Sequence, residues 1–122
     1  KYDPKLGLVQ GGNNHRVSRS LAPIAHEPTT KTGLRHVDGT LSMARNAPGT
    51  AMGDFFITIG PAKYLDARPG YAGYAAFGQV VSGMNVASKI LALPTFPGGW
   101  SAETQGQSIR EPVRIITARR VP

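Results

Sequence analysis

GTLSMARNAPGTAMGDFFITIG, residues Gly39–Gly60, holds two short apolar runs on either side of a loop of small and turn-forming residues. The first lies within Thr40–Ala44 and gives way at Arg45; the second, Phe55–Ile59, stops at Gly60-Pro61. β-branched and aromatic content bounded by turn residues marks both as strands. Working outward, Ala76–Val81 is a third strand of the same kind. Val86, Ile90 and Leu93 recur at spacings of four and three, so Asn85–Leu93 is an amphipathic helix whose end Pro94 limits. Val113, Ile115, Ile116 and Thr117 predict a final strand over Val113–Ala118. A strand end at Leu6–Val9 precedes Gly11-Gly12. Asn13–Pro28 reads as loop with a short extended piece at Pro23–Glu27, and Thr29–Asp38 as a helical turn or irregular loop. Ala62–Tyr74, which contains Pro69, Gly70 and Gly73, and Pro97–Gln107 are loops. Strands outnumber helices and the helix comes late, which suggests a β-rich barrel or sandwich with a covering helix. Pattern alone does not separate the two.

The 122 residues suit one domain with a modest core. Gly 15 and Pro 10, spread along the chain without repeat, fit a turn-rich β domain better than a helical bundle. No apolar run approaches the roughly 18 residues that a membrane span needs. Lys1 is not a start methionine and no signal-peptide pattern follows it, so the sequence is expected to begin downstream of any targeting segment. Cysteine is absent, which removes disulfides, thiol catalysis and thiolate metal sites together. That is compatible with a periplasmic or secreted location, favoured here over the cytoplasm. The formal charge is +7, with 14 basic against 7 acidic residues. Arg110, Arg114, Arg119 and Arg120 cluster near the carboxy end without interleaved aromatics, so they read as a solvated face rather than a base-stacking platform.

Other chemistry finds little support. His15, His26 and His36 lie about ten residues apart with no i,i+4 or HExxH spacing, and read as surface or hydrogen-bonding residues rather than zinc ligands. No G-x-S-x-G elbow or P-loop is present. Nothing near Ser42 in the sequence resembles a paired base. Asp38, Asp54 and Asp66 are dispersed and read as caps of turns and helices.

Gly39–Gly60, together with Ala76–Val86 (AFGQVVSGMNV) and Val9-Gln10-Gly11-Gly12, resembles the cyclophilin family of peptidyl-prolyl cis-trans isomerases. Three motifs occur in family order over most of the chain, and His26–Arg45 looks like a bacterial subgroup. The resemblance sharpens the fold to a closed antiparallel β-barrel with a covering helix. It implies a catalyst of rotation about X-Pro bonds that needs no cofactor and no metal. Its partners would be proline-containing peptides or unfolded proteins, with no nucleic acid, no membrane span and a monomeric chain. The alternatives are a non-catalytic proline-binding or chaperone-like module on the same groove, and a basic interaction domain that uses the fold as a scaffold.

By the same resemblance, Leu8, Phe56 and Leu65 would wall the proline pocket and Gln10 would hydrogen-bond the substrate backbone. Ala44, Arg45 and Asn46 would form the edge that pairs with the substrate chain. Consecutive strand residues face opposite ways, so one of Phe55 and Phe56 can be core while the other lines a site; the resemblance selects Phe56. Tyr64 stands where many eukaryotic members carry a tryptophan that contacts cyclosporin, Tyr74 where they place a histidine, and Asp54 where a glutamine is common. The loop Leu65–Phe77 is longer than in the compact eukaryotic form. The family's catalytic arginine precedes the glutamine-glycine-glycine element, whereas His15-Arg16 follows it, and only Lys1 and Lys5 are basic upstream of Gln10. The sequence is therefore expected to cover residues 1–122 as the carboxy-terminal two-thirds of the domain, with the arginine, a first pair of strands and a helix outside it.

Overall fold

The computed structural model describes residues 6–13, 18, 20–99 and 105–121. Two compact units are present, one running to Leu91 and one starting at Ala92. The first carries strands β1 (Gly7–Gly11), β2 (Thr40–Met43), β3 (Phe55–Ile59) and β4 (Ala76–Gln79), with helices α1 (Thr29–Thr32) and α2 (Met84–Leu91). The strands form one antiparallel sheet in the order β1-β3-β2-β4. The architecture is mostly β with a helix, as the sequence indicates. β1 and β4 are the sheet's two outer strands, and barrel closure is not seen among the described residues.

The register fixes which residues share a face. Gln10 and Ser42 both lie opposite Phe56, and Leu8 lies opposite Thr58. Since side chains alternate along each strand, these residues point to one side of the sheet. Val9, Leu41, Met43, Phe55 and Ile57 occupy the other side and are half-buried. α2 packs against β1 and β3, and Leu91 lies over Gly7, where an added Cβ would come within 3.1 Å of it. Between β2 and β4 the pairing skips one residue, because Leu41 pairs with Gly78 and Ser42 with Ala76. Phe77 is thus the extra residue of a β-bulge and is exposed.

Gly12 shows why the glycine pair ends β1. Its φ is +139°, and an ideal Cβ there would lie 2.5 Å from the Gly53 carbonyl oxygen and 2.7 Å from Asp54 Cα. Only glycine lets the two backbones approach so closely.

Buried hydroxyls tie the sheet to the loop before β2. The wholly buried Thr58 donates through Oγ1 to the Val37 carbonyl at 2.5 Å and accepts from the Thr40 amide at 3.0 Å. Valine has the same shape but neither function. Thr58→Val is therefore expected to lower stability by about 1–3 kcal/mol, the net worth of two hydrogen bonds, while the Thr40 amide keeps its bond to the Val37 carbonyl. Urea denaturation would measure it, and a midpoint unchanged from wild type would refute it.

The sequence expectations hold for β3 at its own bounds, and for β2, β4 and α2 with ends displaced by one or two residues. β1 runs on to Gly11 instead of ending at Val9, because Gly11 pairs with Phe55. The extended piece near Pro23 makes a single bridge, Ile24 to Ala51. Thr29–Asp38 does hold a helical turn, α1, closed by Gly33 at φ 78°. The loop from Ala62 contains a 3-10 turn, Lys63–Leu65. Val113–Ala118 is corrected: it is not a strand. Ile116 is 93% exposed, and the stretch has no ladder partner among the described residues. β propensity is realised by packing on a neighbouring strand, so composition alone does not make one. The second unit instead closes a loop through Phe96 N to Ser108 O (3.1 Å) and Arg110 N to Pro94 O (2.8 Å). His15 and Arg16 lie outside the described residues.

Candidate functional site

Phe56 sits at the middle of the sheet with Gln10 on one side and Ser42 on the other. It forms a buried cluster with Ala62 and Leu65, and Leu8, Ala44 and Tyr74 pack against it. Five residues expected at the site thus meet around Phe56, Gln10 among them by register and Leu8, Leu65, Ala44 and Tyr74 by packing. Phe56 is only 3% exposed, so its ring is a packed wall. The half-buried Phe55 is on the other face.

The loop that brings Leu65 and Tyr74 together is closed by its own backbone. Tyr74 N donates to Leu65 O at 3.0 Å, and Arg68 and Tyr71 exchange main-chain hydrogen bonds across the turn at Pro69-Gly70. Gly73, at φ 66°, is required there: a Cβ would lie 2.7 Å from the Leu65 carbonyl oxygen. Tyr74 then meets Phe56 edge-on, with ring centroids 5.6 Å apart. The Arg45 guanidinium lies 4.3 Å over the Tyr74 ring. Arg45 donates to the Asn46 carbonyl at 2.8 Å and, through its other terminal nitrogen, to the Gly73 carbonyl.

Two expected residues lie away from the cluster. Tyr64 is 61% exposed on the 3-10 turn, pointing away while its neighbour Leu65 points in. Asn46 is exposed in a loop held by Thr50, whose Oγ1 accepts from Asn46 N at 3.1 Å and donates to Ala47 O at 2.6 Å. Asp54 is buried, and its carbonyl accepts from the Ala44 amide at 3.1 Å, which holds the edge at Ala44 against the start of β3. A cleft of about 210 Å³ shares Arg45 with this region and is otherwise lined by Ile24, His26, Met43 and Phe77 among others.

The expectation that Ser42 has no base nearby is corrected. His36 Nε2 lies 2.8 Å from Ser42 Oγ, and His36 Nδ1 lies 2.7 Å from Asp66 Oδ1. The order serine-histidine-aspartate is that of a nucleophilic triad, but Ser42 has no exposed surface. A substrate carbonyl cannot reach its oxygen, and acyl transfer is not supported. Sequence spacing could not find the trio because the loop closure joins positions 30 residues apart. Among the described residues no group of three acidic, histidine or cysteine side chains could hold a metal ion. No helix among them is long and apolar enough to cross a membrane.

Residues 5–120 match the family model described as cyclophilin type peptidyl-prolyl cis-trans isomerase/CLD. The chain is similar to a peptidyl-prolyl cis-trans isomerase of Acinetobacter baylyi, at 36% identity over 92% of this chain and 58% of the relative. It is 40% identical to peptidyl-prolyl cis-trans isomerase A of Dickeya dadantii over 72% of this chain and 47% of that one. Peptidyl-prolyl cis-trans isomerase B of Escherichia coli is 32% identical over 84% of this chain and 65% of its own length. The chain thus spans about half to two-thirds of the length of these relatives.

Proposed function

The chain belongs to the cyclophilin-type peptidyl-prolyl cis-trans isomerase family, and on that premise we propose that the protein isomerises X-Pro bonds in flexible or unfolded chains. The observation that carries the reading is the row Gln10–Phe56 beside the Leu8, Ala62, Leu65, Ala44 and Tyr74 cluster. It sets an aromatic wall next to a polar side chain that is exposed on the same sheet face.

The chemistry suits that arrangement. The barrier to amide rotation is about 18–20 kcal/mol because rotation destroys resonance. No covalent bond breaks, so neither a nucleophile nor a metal is required. A catalyst must bind the twisted amide better than either planar form. The proline ring anchors against Phe56, flanked by Leu8 and Leu65, while the acyl side turns. Gln10 holds the substrate backbone near the rotating bond, and the edge from Ala44 to Asn46 offers the extended peptide its main-chain pairing at Arg45, since the Ala44 amide and both main-chain groups of Asn46 are already engaged. In the twisted state the proline nitrogen regains a lone pair, and a donor to it strengthens only then.

The finer fold in this reading is a closed barrel, with residues 1–122 as the carboxy-terminal part of one domain. Its support is the half-covered apolar face of Val9, Leu41, Met43, Phe55 and Ile57 and the two outer strands, each paired along one edge only among the described residues. Edges of this kind are managed by pairing or closure in soluble proteins. One observation favours the non-catalytic alternative for these residues taken alone. Arg45, the guanidinium placed at the cluster, has both terminal nitrogens committed to main-chain carbonyls.

Gln10→Ala tests the reading, since Gln10 is exposed and its removal leaves the packing intact. One hydrogen bond to substrate is worth about 0.5–1.5 kcal/mol, so kcat/KM in the full-length protein is expected to fall about 3- to 10-fold with no change in thermal midpoint. An unchanged kcat/KM on a proline peptide would remove Gln10 from the site.

A further inference from the structure

We propose that His36 is a positioning residue for the proline-binding wall, fastening Phe56 and both ends of the Lys63–Leu65 turn through one buried imidazole and its own backbone. The inference rests on the isomerase reading and names a residue that reading does not use.

His36 is 2% exposed and every polar group it presents is engaged. Its amide donates to Asp66 Oδ1 at 2.9 Å, and its ring Nδ1 donates to the same oxygen at 2.7 Å. A carboxylate oxygen accepts, which puts a proton on Nδ1, and in the neutral ring Nε2 then accepts from the Ser42 hydroxyl at 2.8 Å. Its carbonyl accepts from the Ala62 amide at 3.0 Å. Ala62 precedes the turn that carries Leu65 and Asp66 follows it, so His36 holds the turn at both ends. Ser42 lies directly opposite Phe56 in the sheet, and the His36 ring stacks on the Phe56 ring at 6.1 Å with planes 12° apart. Phe56 and Leu65, two of the three residues expected to wall the proline pocket, therefore share one support. The ring is held from behind by His36 and edge-on by Tyr74.

The grip on the proline ring is common to the cis, trans and twisted forms. Loosening it removes uniform binding, which appears in KM and not in kcat. A purely structural role predicts the reverse: a destabilised enzyme loses active molecules, which lowers apparent kcat and leaves KM unchanged.

The test uses the full-length chain and a proline-containing peptide, with folding checked by circular dichroism. His36→Leu is expected to raise KM about 5- to 10-fold with kcat within about twofold. In a Phe56→Leu background the same change should add less than about twofold, because His36 acts through that ring. An unchanged KM in a folded variant, or full additivity with Phe56→Leu, overturns the proposal while leaving the isomerase reading in place. If the wild type binds the peptide without isomerising it, the isomerase reading fails. The dissociation constant then replaces KM, and the same rise or constancy decides the role of His36. Should His36→Leu not fold, His36→Gln keeps the volume without the stack, and a similar rise in KM is expected. Ser42→Ala removes only the partner of Nε2; a two- to threefold rise supports the proposal and an unchanged KM opposes it.

Discussion

Phe56→Ala is expected to lower stability by about 3–5 kcal/mol, the range for truncating a buried phenylalanine, and to lower kcat/KM at least about tenfold. Both effects have one origin. The ring is 3% exposed, packed on Ala62 and Leu65, stacked on His36 and met edge-on by Tyr74. Truncation leaves a cavity that these neighbours can only partly fill, and it removes the wall against which a proline ring would rest. A domain holds only about 5–15 kcal/mol in total, so the variant needs a urea midpoint measured beside the rate. Phe56→Leu separates the two effects, because it keeps most of the volume and loses the flat face. A stability loss below about 1 kcal/mol would deny Phe56 its place in the core. Full activity in a folded Phe56→Ala protein would remove it from the site.

The choice of Phe56 over Phe55 was legible only in part. Alternation says that one ring faces each way, but the sequence reading ends the first strand at Val9, two residues short of the observed Gly11. The stop at Gly12, where a side chain would meet the Gly53 carbonyl, shows only in the structure. Composition also marked β2, β3, β4 and α2, whose patterns are satisfied inside the sheet. It failed at Val113–Ala118, where β-branched residues are present but no neighbouring strand is described. It failed again at His36, Ser42 and Asp66. Each is an ordinary loop or strand residue alone, and their meeting depends on the turn at Lys63–Leu65, on Gly73 and on the sheet register together. Ala62 was missed for the same reason, because a small residue before a turn gives no sign of burial.

The last expected result concerns the donor to the proline nitrogen. In the proposed reading that donor lies outside residues 1–122, because the family's catalytic arginine precedes the Gln10-Gly11-Gly12 element and Arg45 is held in place by two main-chain carbonyls. Arg45 gives one terminal nitrogen to the Asn46 carbonyl and the other to the Gly73 carbonyl, with its guanidinium carbon 4.3 Å over the Tyr74 ring. To swing toward a substrate it would have to abandon two hydrogen bonds and a cation–π contact; where it stands, its Nε–H is buried and makes no hydrogen bond among the described residues. A product that extends upstream of Lys1 and carries an arginine there is expected to exceed the 122-residue chain in kcat by about 10²–10³. That is the usual loss when one donor to a developing charge is removed, about 2.7–4 kcal/mol. The comparison needs both forms folded by circular dichroism, and peptide binding measured on each by titration. Weaker binding with equal kcat would point to a loosened groove rather than a missing donor. Equal kcat and equal binding would place the donor within these residues. Arg45→Lys in the short form would then be decisive, because lysine keeps the charge but not the fork that holds both carbonyls.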